Sequence, residues 1–153
     1  MNLDSLNKWL MLVANVGVIA GIFFLGIEIN QNRELMQAQI RHELSQGAID
    51  TILREAVDLE TAAIYLKGVN DEPLSPEESF RYFRFNAAWF RYIEDVFYQY
   101  RNGLYDASEY EKQINVWKDR FDIPSVVSQW CGSNQNYSDE LVQEINRLFA
   151  PRC

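Results

Sequence analysis

Residues 9–27, WLMLVANVGVIAGIFFLGI, carry no formal charge and one strongly polar side chain, Asn15. No other stretch limits the fold so tightly. At about 1.5 Å per residue, a helix of this length covers roughly the thickness of a bilayer's hydrocarbon core. With no formal charge along that length, it reads as a membrane-spanning helix. A cleaved signal peptide fits less well: the apolar run is long, Lys8 is the whole of its basic flank, and no A-x-A site follows. We therefore expect a retained signal-anchor, with residues 1–28 forming tail and span.

After Glu28 the chain is too polar to span again, and the roughly 125 remaining residues suffice for one soluble domain. An aromatic content of 14% excludes a disordered tail and predicts a core rich in rings. The formal net charge of −8, with no lysine or arginine cluster, repels phosphate backbones and excludes nucleic acid as a partner. Cys131 and Cys153 are the only cysteines. Their spacing matches neither a zinc site nor a disulfide framework, so two unpaired thiols are expected. Orientation rests on a near tie, Lys8 and the terminal amine against Arg33 and Arg41. Unpaired thiols suit a reducing compartment and a short tail containing Asp4 is easily translocated, so the soluble domain is expected on the cytoplasmic side.

Residues 28–67 contain no proline and read as helix throughout. Residues 29–47 form a polar stalk and residues 48–153 a bundle. Within the helix Met36, Ile40, Leu44, Ala48 and Ile52 recur at four-residue steps, Val57 begins further core positions, and Gly47 marks a bend or break. Gly68 ends it. Ser75-Pro76-Glu77-Glu78 combines an N-cap, a first-position proline and a capping-box glutamate, and opens a helix to about Arg101. Its stripe of Tyr82, Phe85, Trp89, Ile93, Val96 and Tyr100, flanked by Phe90, Phe97 and Tyr92, faces the core; Arg91 and Asp95 pair on the wet side. Asp106 and Glu109 form a second capping box for a helix to about Phe121. Asp122 starts a short helix to about Cys131, Gly132-Ser133-Asn134 turns, and Ser138 caps a last helix, Asp139–Phe149. No run alternates with period two, so the fold class is all-α.

Two groups of residues invite function. On the span, Ala14, Gly17, Gly21 and Glu28 lie near one face, and small residues let helices approach closely in lipid. Asn15, Ile22 and Gly26 mark a second face about 120° round. Two faces fit a ring of copies better than a dimer. In the domain, Glu94 and Arg101 are seven residues apart beside Phe90 and Phe97, with Asn86 nearby. Such a carboxylate could act as an acid or base, or hold a ligand with Arg101; alternatively the two are a polar pair fixing helix packing. His42-Glu43 lacks the second histidine of H-E-x-x-H, and no G-x-S-x-G, P-loop or G-x-G-x-x-G occurs. No catalytic, metal or cofactor residue is therefore assigned.

The blocks VGVIAGIFFLGIEINQN and IEDVFYQYRNGLYD, with Trp130 followed by Tyr137-Ser138-Asp139-Glu140-Leu141, resemble a widespread family of small, uncharacterised bacterial membrane-anchored proteins. In that family a hydrophobic helix runs into E/Q-I-x-Q-N, followed by E-N/D-x-x-Y-Q-x-x-x-G-L and W…(F/Y)-S-x-(E/D)-(F/L). The resemblance spans most of the chain and implies a bacterial inner-membrane location and an all-helical domain, with no activity attached. Leu141 departs from it, standing where an aromatic is common. The combined expectation is a non-enzymatic, self-associating scaffold, sensor or accessory subunit in the lipid bilayer. A membrane-tethered enzyme or small-ligand-binding domain around Glu94 and Arg101 is the alternative, and an oligomeric pore a third.

Overall fold

The computed structural model describes residues 2–151 and 153, apart from the side chains of residues 54, 55 and 57; the expected core role of Val57 thus lies outside the described residues. Every regular element is helical: α1 Leu3–Val57, α2 Leu59–Val69, α3 Pro76–Arg101, α4 Ala107–Phe121, α5 Pro124–Ser133 and α6 Asp139–Phe149, with a 3₁₀ turn at Asn134–Asn136. The all-α fold class is as the pattern predicts. Contacts divide the chain into Met1–Gln39 and Ile40–Cys153.

In the first unit α1 is a lone helix. Its apolar side chains are exposed: Trp9, Phe23 and Phe24 at 64%, 72% and 73%.

The second unit is built around α3. Ser75 accepts from the Glu78 backbone N–H while the Glu78 carboxylate accepts from the Ser75 N–H, so the capping box forms in full. Trp89, Phe90, Ile93 and Val96 then enter a core completed by Leu44 of α1, Tyr110, Trp117 and Phe121 of α4, Val126 and Trp130 of α5, and Leu141 and Ile145 of α6. Rings interlock here: Phe90 meets Trp130 edge-on at 5.2 Å, and Phe149 stacks on Phe121 at 4.9 Å. Leu141 is wholly buried and seats α6 on this core.

Several local expectations are corrected. The first helix passes through Gly47 and breaks instead at Asp58, which caps α2 by accepting from the Thr61 N–H and hydroxyl. Of the four-residue ladder only Ile40 and Leu44 reach the core, while Met36 and Ile52 are exposed. Gly68 does not end its helix. The left-handed residue is Asp71, with φ 56°, and the Glu72 N–H closes the end on the Lys67 carbonyl at 2.9 Å. Gly68 is required for packing, since a Cβ there would lie 2.4 Å from the Tyr82 ring. The Tyr82 and Ser125 hydroxyls bond at 2.8 Å and Ser125 donates to the Gly68 carbonyl at 2.8 Å, joining α2, α3 and α5. Asp106 caps α4 through Ser108, whereas Glu109 pairs with Arg41 and Lys112. Arg91 pairs with Glu94 rather than Asp95, which accepts from Gln99. Asp122 ends α4 rather than opening α5, which runs on through Gly132 to Ser133.

The largest correction concerns the cysteines. Cys131 and Cys153 form a disulfide with Cα atoms 5.2 Å apart, and no free cysteine remains. Ala150, at φ 43°, turns the chain back after α6, and the bond ties the tail to α5. Sequence spacing carried no sign of this because the pairing depends on how α5 and α6 pack. With both cysteines bonded, no unpaired thiol points to a cytoplasmic domain.

Candidate functional site

The candidate residues fall into the two units and are described separately. Ala14, Asn15, Gly17, Gly21, Gly26 and Glu28 all sit on α1 and are all exposed. A Cβ built on Gly17, Gly21 or Gly26 meets nothing within 4 Å, so these glycines answer no packing need inside the chain. Beside Phe23 the missing side chain of Gly26 opens a shallow groove, bordered further along by Asn30, Gln31 and Glu34. Asn30 donates to Glu34 at 3.1 Å across one helical turn.

In the second unit Glu94, Phe97 and Arg101 do share one open cleft of about 280 Å³, together with Arg91, Asp95, Tyr98 and Ser138. Glu94 and Arg101 nevertheless have different partners. One Glu94 oxygen accepts from the Ser138 backbone N–H at 2.8 Å and the other from Arg91. Arg101 pairs with Glu140 at 3.1 Å and lies over the Tyr98 ring. The Glu140 carboxyl is held below its usual range by a hydrogen bond from its own backbone N–H, then by Arg101. Arg91 also donates to the Asn136 carbonyl at 2.9 Å and covers the Tyr137 ring at 4.5 Å.

The reason lies in the start of α6. Ser138 is the N-cap but makes no side-chain capping bond. In a capping box the third helical residue returns a carboxylate to the N-cap N–H; here that residue is Leu141, wholly buried in the core. Glu94, from α3, supplies the missing acceptor, and Arg91 holds Glu94 and residues 136–137 in register. Arg91 and Ser138 are thus the residues that sequence reasoning missed. The available signal was a Ser N-cap with Leu three residues on, which implies an acceptor from elsewhere in the chain.

Asn86 does not join the cleft. It is wholly buried and donates to Gln129 at 3.1 Å, and Gln129 in turn donates to the Phe83 carbonyl, so Asn86 fixes α3 against α5. His42 is exposed. On the α4–α6 side, Tyr110 donates to Glu144 at 3.1 Å and stacks on Tyr100 at 3.9 Å. Burial, then the Glu144 charge, pushes its phenol well above the ordinary range. Among the described residues, no three His, Cys, Asp or Glu side chains gather so as to hold a metal ion. Comparisons with protein-family models, curated proteins and solved structures found no match.

Proposed function

We propose that the protein is a single-pass membrane protein, of the bacterial inner membrane by its family resemblance, whose first helix gathers further copies of itself. On this reading its helical domain serves as a non-enzymatic scaffold, sensor or accessory subunit. The observation carrying the reading is that α1 holds the one helix long and apolar enough to cross a membrane among the described residues, and none of its apolar window is buried by the chain. The core helix of a water-soluble protein would be covered. Left in water, each such side chain would forgo about 1.5–3 kcal/mol, whereas lipid accommodates it. Within lipid, close packing of small residues is a main source of helix association, and Ala14, Gly17 and Gly21 are open for it.

The test is Gly17→Ile combined with Gly21→Ile, with oligomeric mass measured after extraction in mild detergent. The substitutions are expected to lower the mass; an unchanged mass would sink self-association through this face. The ligand-cleft reading has weaker support, because both Glu94 oxygens already serve the chain's own packing.

A further inference from the structure

We infer that the helical domain faces the oxidising, non-cytoplasmic side of the membrane and that Cys131 and Cys153 are substrates of an extracytoplasmic dithiol–disulfide oxidoreductase. The inference rests on the membrane-span reading for its orientation and on an independent observation for its compartment. The chain holds two cysteines, 22 residues apart, and the fold consumes both in one bond. Persistent disulfides belong to compartments outside the reducing cytosol.

The fold is arranged so that the bond completes it. Cys131 lies on α5 directly after Trp130, which is almost fully buried, and α6 is seated by Leu141 and Ile145. The left-handed Ala150 then turns the chain so that the exposed Cys153 reaches Cys131 of α5. The bond closes a loop containing the end of α5, the 3₁₀ turn and α6, and so locks the segment that Arg91 and Glu94 hold at Asn136 and Ser138. Charge does not oppose this orientation strongly. Lys8 flanks the span on one side and Arg33 and Arg41 on the other, and long domains translocate largely regardless of charge.

The chemistry is a two-step exchange. One cysteine thiolate attacks the oxidant's disulfide, forming a mixed disulfide and releasing one oxidant thiolate. The second cysteine thiolate then attacks the chain's sulfur in that mixed disulfide, forming Cys131–Cys153 and freeing the second oxidant thiolate. The two chain thiols lose two protons and two electrons, and the oxidant's disulfide becomes a dithiol.

Two measurements on the full chain in cells test this. Cells are quenched in acid, free thiols blocked with N-ethylmaleimide, and the denatured protein tagged with a polyethylene-glycol maleimide with or without prior reduction. Two tags after reduction and none without it are expected; two thiols already blocked at the quench would overturn the inference. In the Cys131→Ser variant, the exposed Cys153 should react with a membrane-impermeant maleimide on intact spheroplasts, and labelling only after lysis would overturn the orientation. An alkaline wash separates the two premises: a chain that is washed off yet disulfide-bonded refutes the membrane span while the oxidising compartment stands.

Discussion

Replacing Glu94 by Gln separates a packing role from a ligand-binding one. The carboxylate accepts a charge-assisted bond from the part-buried Ser138 N–H and an ion pair from Arg91. Glutamine keeps one neutral acceptor for Ser138, losing about 1 kcal/mol of the charged bond, and turns an amide donor toward the Arg91 guanidinium. The ion pair is half exposed on the Arg91 side, 58% against 22% for Glu94, so its loss adds about 0.2–1 kcal/mol. The sum is about 1–2 kcal/mol. For a unit the size of Ile40–Cys153 this lowers Tm by roughly 4–8 °C. Glu94→Ala strands the Ser138 N–H altogether and should cost about 2–3 kcal/mol. The assay is thermal unfolding of the full protein in detergent, with Arg91→Ala and the double variant completing a cycle; a coupling above about 0.5 kcal/mol is expected. An acid kept for binding or catalysis behaves oppositely, since removing it leaves stability unchanged or raises it. An unshifted or raised Tm in Glu94→Gln, or zero coupling to Arg91, would refute the capping account.

Gly68→Ala places a methyl against the Tyr82 ring and should destabilise by about 1–3 kcal/mol. Gly47→Ala meets only ordinary contact with Tyr92, at 3.8 Å, and should stabilise by about 0.5–1 kcal/mol; urea midpoints of the pair check the contrast. Reducing Cys131–Cys153 opens a loop spanning 22 residues and should lower stability by about 3 kcal/mol, read as a urea midpoint with and without reductant. Stability should also fall at both extremes of pH. Glu78 is held low by Lys67, Asp58 by Thr61, Asp106 by Ser108 and Glu144 by Arg147, so their contribution is present above the ordinary carboxylate range and lost as pH falls through the depressed values. Burial pushes Tyr92 up to about 12 and raises Tyr110 and Tyr137. Their contribution is complete below about pH 10 and lost as pH rises through the raised values. Urea midpoints at about pH 3, 7 and 11 should therefore peak in the middle, and a flat profile would contradict these environments.

Local patterning alone determined the helical class, the position of α3 and α6, the long uncharged apolar helix and most of the aromatic core. Periodicity, a proline behind a serine cap and the absence of alternation are properties of neighbouring residues, and neighbours are all that a helix's own hydrogen bonds require. Leu44, Trp89, Ile93 and Val96 were legible for that reason. The tertiary structure decided whatever depends on residues far apart in the chain. Glu94 looked like a partner for Arg101 because they share a helix face, but α6 presents Ser138 to one and Glu140 to the other. Gly68 looked like a helix stop, but its lack of a side chain is fitted to Tyr82. Cys131 and Cys153 looked like separate thiols, but the docking of α6 and the turn at Ala150 bring them within bonding distance. Each depends on where one helix lies against another, and that position is set by the shape of the packed ring core, which no spacing along the chain encodes.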